Sequence, residues 1–274
     1  MSVVVPAHNE QRSLRRCLRA LVEPGANDLE VLVVCNGCSD ATADVARSFG
    51  PAVTVLEIGE ASKPLALDAG DRRAGHFPRF YVDADVEVTS ATLRRLAGLM
   101  ERGGYLAAAT TPELSTAHCS WIVRSYYRLW SRLPQVGDSL VGGGVYGTTG
   151  PGRSRFGRFP AGVADDAYVS AQFRPEERLR AAGCTSVVRP AATLGELYRS
   201  RRRVHLWNRS AGRAAGPGGG IGHRRGLLPG WLVVVGREPA RLLDLPSYLA
   251  VTGAAKVAAR RASSTGTSWS SPAR

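Results

Sequence analysis

The sequence predicts an α/β fold, with a mostly parallel central sheet flanked by helices and a helical extension at the C-terminal end. Two observations carry this expectation. Short β-branched runs alternate with segments of helical period through the N-terminal half, the pattern of a parallel sheet covered by crossover helices. The chain of 274 residues is also somewhat longer than one ordinary domain, which leaves room for an accessory tail.

The elements follow in order. Ser2–Pro6 reads as a first strand, too short and too lacking in a basic leader to be a signal peptide. Leu14, Cys17, Leu18, Leu21 and Val22 then recur at helical spacing, while Arg12, Arg15, Arg16 and Arg19 occupy the opposite, solvated face. Leu29–Cys35 reads as a second strand, and Ser39 or Asp40 can cap a helix carrying Ala43, Val45, Ala46 and Phe49. Val53–Ile58 is a third strand, Leu65–Ala74 a third helical crossover and Phe80–Val82 a fourth strand. Ligands of open α/β sheets bind beyond the carboxyl ends of the strands, where Asn9, Glu10, Asn36, Asp40, Asp83 and Asp85 would converge.

The formal net charge of +13 and a pI near 10.3 favour an anionic partner: nucleic acid, phospholipid or a phosphorylated substrate. Five unevenly spaced cysteines do not make a disulfide framework, and a reducing compartment is expected. Cys35-Asn36-Gly37-Cys38 has no second pair to complete a zinc site and reads as a loop with two free thiols. The late apolar run Leu227–Val235 contains Pro229-Gly230 and falls short of the roughly 20 residues that span a bilayer. Residues 211–226, rich in glycine and arginine, lack the Gly-Lys-Ser/Thr of an NTPase phosphate loop and read as a mobile loop. Residues 227–261 mix apolar runs with Arg237, Arg241, Lys256, Arg260 and Arg261, which suits helices lying on an anionic membrane surface or packed on the main domain. Residues 262–274 read as a disordered tail.

Asp83-Ala84-Asp85 ends an apolar strand. Two carboxylates at that place suit a hard divalent cation, which would draw the rest of its oxygen shell from a diphosphate. A second acidic pair, Asp165-Asp166, suits the start of a helix and would also serve proton transfer.

Four segments together resemble the family 2 glycosyltransferases of the GT-A, Rossmann-like fold, and the similarity runs from Ser2 to about Arg203. Val4-Val5-Pro6-Ala7-His8-Asn9-Glu10 resembles the family's opening strand and nucleoside loop. Asn36-Gly37-Cys38-Ser39-Asp40 stands where the family has Asp-Asp-Gly-Ser-x-Asp, with Cys35 and Asn36 in place of the aspartates. Lys63-Pro64-Leu65-Ala66-Leu67-Asp68-Ala69-Gly70 resembles Lys-x-x-Ala-Leu-Asn-x-Gly, and Asp83-Ala84-Asp85 matches the metal and diphosphate motif. The resemblance implies nucleotide-sugar contacts at Pro6, Ala7, Asn9, Glu10, Asn36, Asp40, Lys63, Asp83, Ala84 and Asp85, with Mn²⁺ or Mg²⁺ on Asp83 and Asp85.

Further on, Asp165-Asp166 resembles the family's Glu-Asp pair, which implies that Asp166 is the catalytic base and Asp165 its neighbour. Val141-Gly142-Gly143-Gly144-Val145-Tyr146-Gly147 falls where the family has a glycine-containing acceptor loop. Arg203 matches the arginine of Gln-x-x-Arg-Trp and would meet the departing diphosphate, but Ser200 and Val204 replace the flanking residues, so processive synthesis is not supported.

The implied protein is a metal-dependent, inverting hexosyltransferase that moves a sugar from a nucleotide diphosphate sugar to a hydroxyl of a lipid, saccharide or small molecule. Its domain would span 1–210, with a nucleotide-sugar half at 1–110 and an acceptor and base half at 111–210. It would be cytoplasmic, or peripheral on the inner face of the membrane. Two other classes compete. A sugar-phosphate nucleotidyltransferase should open with a glycine-rich, lysine-containing loop that Val5–Glu10 lacks, and a basic nucleic-acid-binding protein should carry a nucleic-acid motif, of which none is recognised. Nucleic acid is therefore not expected as a partner.

Overall fold

A computed structural model of the protein describes residues 1–22, 29–137, 139–214 and 229–261. The first four strands, β1 (Ser2–Ala7), β2 (Glu30–Asn36), β3 (Val53–Ile58) and β4 (Arg79–Val82), are parallel and lie in the order β3-β2-β1-β4. Between them run α1 (Gln11–Leu21), α2 (Thr42–Arg47) and α3 (Lys63–Arg73).

Strand side chains alternate between faces, and here both faces are apolar because both are covered. Val3, Val5, Val31, Val33, Phe80 and Val82 point to one core with Leu14, Leu18 and Leu21 of α1. Val4, Leu32, Val34 and Tyr81 point to the other, with Ala66 and Leu67 of α3. The arginines of α1 are solvent-exposed, as its stripe predicts. Each buried leucine of that stripe contributes about 1.5–3 kcal/mol of transfer free energy, so the stripe alone fixes which face docks.

The remaining strands complete an eight-stranded sheet in the order β3-β2-β1-β4-β7-β6-β8-β5. They are β5 (Val86–Glu87), β6 (Ala107–Leu114), β7 (Val145–Thr148) and β8 (Arg178–Val188). β7 runs antiparallel between β4 and β6, and β5 runs antiparallel to β8, while β6 and β8 are parallel. β6 and β8 slip register between Thr110 and Thr111. Helix α4 (Ser90–Gly103) opens with Thr89, whose hydroxyl accepts from Thr92 N–H at 3.1 Å, and closes on Gly104 at φ 66°.

The second half adds α5 (Trp121–Trp130), the short turns α6 (Pro134–Gly137) and α7 (Gly150–Arg153), α8 (Asp165–Ser170) and α9 (Leu194–Ala214). Helix α9 continues through Ala214, so the glycine- and arginine-rich stretch expected to start as a loop at 211 begins as helix. Its remainder, 215–226, and the tail 262–274 lie outside the described residues. The extension comprises α10 (Gly230–Arg237), a 3-10 turn at Pro239–Asp244 and α11 (Leu245–Arg261). Tyr126, Tyr127 and Leu197 share a core cluster with Val251 of α11, so this segment packs on the main domain. Among the described residues no helix is long and apolar enough to cross a membrane.

Candidate functional site

The site forms where the chain leaves the carboxyl ends of β1, β2 and β4. Asn36, wholly buried at the end of β2, donates from Nδ2 to the Ala7 carbonyl at 2.9 Å and so ties the ends of β1 and β2 together. Pro6 and Ala7 are buried in that tie. Asn9 follows at φ 54°, a left-handed conformation held because its Oδ1 accepts from Ser39 N–H at 2.8 Å. Glu10 donates its N–H to Thr42 Oγ1 at 2.8 Å, and its carboxylate accepts from the Ser13 hydroxyl.

The residue that caps α2 is Ala41 and not Ser39 or Asp40, and it offers no side-chain acceptor; Asp40, one residue earlier, instead ties the loop, with Oδ1 accepting from Thr42 N–H at 3.0 Å and Oδ2 from Gln11 N–H at 3.3 Å. The β1 and β2 loops are thus one hydrogen-bonded unit. Gly37, at φ 56°, lies where an added Cβ would be 2.7 Å from Ala61 N, which fixes this loop against the entrance to α3.

Asp83, Ala84 and Asp85 follow β4. Ala84 is buried, while Asp83 keeps 38% of its side chain open to solvent. Lys63, at the start of α3, lies between two carboxylates, 2.6 Å from Asp83 Oδ1 and 2.8 Å from Asp165 Oδ1. This contact joins the two acidic pairs, which are far apart in sequence. Tyr146 of β7 donates its hydroxyl to Asp165 Oδ2 at 2.8 Å. Asp166 accepts from Gly142 N–H at 3.0 Å on Oδ2 and from Ala167 N–H at 2.7 Å on Oδ1.

Crowding sets the protonation of these groups. Burial and the neighbouring Asp165 charge push Asp166 up to about 6, against the Gly142 N–H. Asp83 is likewise pushed up to about 6, by its enclosure and by Asp165 and Asp85, with the Lys63 ammonium opposing. Burial disfavours the Lys63 charge, but Asp165 and Asp83 outweigh it and hold the ammonium protonated well above its ordinary range. Tyr146 is raised well above its ordinary value by burial and by Asp165, so it remains a donor.

A cavity of about 260 Å³ opens beside this cluster, lined by Ser62, Lys63, Asp165, Gly162, Val163 and Trp207 among others. Arg203 is not in that lining; its guanidinium lies 5.4 Å from the centre of the Trp207 ring, one turn back along α9. Asp68, buried in α3, accepts from Phe159 N–H at 3.1 Å and therefore braces the segment leading to Asp165.

Sequence reasoning did not single out Tyr146 or Trp207. The first stands in the short β-like run Val145–Thr148, and the second is four residues after Arg203, one helical turn away. The carboxylates Asp83 and Asp85 supply hard oxygen ligands suited to Mg²⁺ or Mn²⁺. Among the described residues no group of three or more His, Cys, Asp or Glu side chains gathers to hold a metal ion, so a cation here would need oxygens from a ligand and from water.

Residues 2–154 match the family described as Glycosyl transferase family 2. Two curated relatives are similar over somewhat more than half of the chain. The uncharacterized glycosyltransferase YibD of Escherichia coli is 26% identical over 162 residues, 57% of this chain and 43% of that protein. The glycosyltransferase AglE of Haloferax volcanii is 28% identical over 164 residues, 58% of this chain and 44% of that protein. The matches thus span less than half the length of these relatives. Among solved structures, the mannosyltransferase PcManGT of Pyrobaculum calidifontis, in complex with GDP-Man and Mn²⁺, superposes with a TM-score of 0.57 at 19% identity. That superposition covers 96% of this chain and 75% of the other, a likeness of fold.

Proposed function

The chain belongs to glycosyl transferase family 2, and from that premise we propose that it is a metal-dependent, inverting glycosyltransferase carrying a sugar from a nucleotide diphosphate sugar to an acceptor hydroxyl. The observation that carries this reading is the Lys63 bridge. It brings Asp83 at the end of β4 within reach of the Asp165-Asp166 pair, so a donor's diphosphate and an acceptor's hydroxyl would meet in one place.

In this reading the nucleoside lies against Pro6, Ala7, Asn9, Glu10, Asn36 and Asp40. Asp83 and Asp85, with Ala84 between them, would hold Mn²⁺ or Mg²⁺ beside the diphosphate. A bound cation supplies Lewis-acid stabilisation of the negative charge that develops on the leaving group. Lys63, already held protonated between two carboxylates, adds fixed positive charge beside the same phosphates. Arg203 would reach them from α9.

Asp166 takes the proton of the acceptor hydroxyl as its oxygen attacks the anomeric carbon, and the bond to the diphosphate breaks on the opposite side. Its value of about 6 suits this task, because the carboxylate is ionised at neutral pH yet more basic than a free one. Asp165 is held by Lys63 and Tyr146 and serves as support. An anionic membrane surface is proposed as a second partner of the extension, with the protein acting from the cytoplasmic side.

A panel of UDP- and GDP-sugars tests the reading, scored by Mn²⁺-dependent release of nucleoside diphosphate and by thermal stabilisation. At least one donor should do both. Failure of all of them to bind or turn over would sink the assignment. Asp85→Asn should weaken metal-dependent nucleoside diphosphate binding in calorimetry, and unchanged affinity would remove the metal role.

A further inference from the structure

Arg180 of β8 lies opposite Ala109 of β6, and its side chain ends among backbone carbonyls, with no carboxylate of the described residues in hydrogen-bonding contact. Nε donates to the Ser139 carbonyl at 2.8 Å, Nη2 to the Ser139 carbonyl at 2.5 Å and the Val141 carbonyl at 2.7 Å, and Nη1 to the Thr110 carbonyl at 2.5 Å. A guanidinium is suited to this because its donors leave in a fixed planar fork; an ammonium is a point charge and cannot reproduce the geometry.

The carbonyls after these are also satisfied. Gly143 O accepts from Ser186 Oγ at 2.9 Å, and Gly144 O accepts from Asp83 N–H at 2.8 Å. The segment 139–144 is therefore pinned at four carbonyls. What it presents in return is Gly142 N–H, aimed at Asp166 Oδ2, from a residue at φ 90°. One end of the segment thus sets the proposed base, and the other sets the backbone of the proposed metal-binding aspartate.

We propose that Arg180 is a positioning residue for the transfer reaction: it locks segment 139–144 so that Gly142 N–H holds the Asp166 carboxylate in register with Asp83. The inference rests on the reading of Asp166 as base. Burial pushes Arg180 down to about 10, with Asp166 opposing, so the group stays charged at neutral pH and its field also favours the ionised base.

Two variants separate geometry from charge. Arg180→Lys keeps the charge and loses the fork, while Arg180→Met loses both and keeps much of the volume. Amide hydrogen exchange at Gly142, which needs no substrate, should rise at least tenfold in both. With UDP- and GDP-sugars and Mn²⁺, and water as acceptor, kcat should fall about tenfold in Arg180→Lys and about 10²-fold in Arg180→Met, while KM stays within about twofold. The acid limb of the rate profile should move to higher pH in Arg180→Met more than in Arg180→Lys.

Coupling to Asp166 is the discriminating measurement. In an Asp166→Asn background the further loss caused by Arg180→Met should largely vanish, which a general loss of stability would not produce. Parental exchange at Gly142 in both variants, or additive losses in the double variant, would overturn the inference. If Asp166→Asn alone runs at the parental rate, it is the base assignment that fails, a result separable from an impaired Asp166→Asn beside an unimpaired Arg180→Met.

Discussion

Asp166 is held by two backbone N–H groups and crowded by Asp165, and these pull its ionisation in opposite directions. Burial and the like charge win, taking it from an ordinary 3.8 to about 6. If Asp166 is the base, as proposed, it must be ionised, so the rate of transfer should fall about tenfold per pH unit below pH 6, whereas an unshifted carboxylate would hold its rate to about pH 4. The pH profile of kcat/KM checks this, and a flat profile down to pH 4.5 would refute it. Asp166→Asn should leave nucleoside diphosphate affinity intact and lower transfer by about 10²-fold or more, with Asp165→Asn doing less damage. The same shift has a stability consequence of defined sign. The fold prefers this acid protonated, so ionising it costs stability as pH rises from 3.8 through about 6, and the cost is fully present at pH 7. Asp166→Asn should therefore unfold at a higher temperature than the parent at pH 7.5, a gain of about 1 kcal/mol that disappears below pH 4. Calorimetry at the two pH values measures it, and lower stability of the variant at pH 7.5 would reverse the argument.

Between elements, Asp71 of α3 makes a polar tie that joins three of them. Its carboxylate, 11% exposed, accepts from Arg79 and Tyr81 of β4 and from Arg153 of α7, at 2.5–2.8 Å. Burial works against its charge, but these donors outweigh it and hold the group below its ordinary value. With a lowered folded value, the stabilisation is present above about pH 4 and is lost as pH falls through the folded value. Asp71→Asn should cost about 3 kcal/mol at pH 7, because it leaves the buried Arg79 guanidinium and the partly buried one of Arg153 without the carboxylate they share, and the difference from the parent should shrink below pH 4. Denaturant titrations at pH 7 and pH 3.5 check both statements. This tie was not legible in the sequence, where Asp71 is one acid on the expected third crossover helix with nothing to mark its partners. Of the elements it joins, α3 and β4 were legible and α7 was not; elsewhere the runs of valine and leucine in β1 and β2 announce strands buried on both faces, and the arginine face of α1 announces its solvent side. Strands β5, β6, β7 and β8 all escaped notice: β5 and β7 are short, with glycines before β7, while β6 (Ala107–Leu114) is built from alanine and threonine and β8 (Arg178–Val188) carries Arg178, Arg180 and Gly183, so neither shows the valine and leucine runs of the first strands. Asp83 and Asp85 were visible from their place at a strand end. The bridge through Lys63 and the Tyr146 contact were not, because both depend on the antiparallel return of β7 and on the approach of α8.

At the scale of the molecule, the extension packs back on α5 and still leaves apolar surface outside. Asp244, 2% exposed, accepts from Ser125 Oγ at 2.8 Å, from Arg128 Nη2 at 2.6 Å and from Arg241 Nη1 at 3.0 Å. That anchor fixes the register of the turn at Pro239–Asp244. Leu242 and Leu243 are therefore left outward, 55% and 85% exposed. Residues 229–261 carry Arg237, Arg241, Lys256, Arg260 and Arg261 against Glu238 and Asp244, a net +3. Two outward leucines on a segment of net positive charge suit an anionic bilayer, where each buried leucine would contribute about 1.5–3 kcal/mol and each cation near the surface about 1 kcal/mol. Replacing Leu242 and Leu243 with serine should lower binding to vesicles containing phosphatidylglycerol by at least tenfold, while nucleoside diphosphate affinity and thermal stability stay at parental values. Raising the salt concentration should weaken the parent's binding as well, since the cationic share of the attraction is screened. Vesicle sedimentation at two ionic strengths measures both effects. Equal binding by the serine variant and the parent would mean that these leucines face water or another protein, and would leave the extension as a structural brace for α5 and α9.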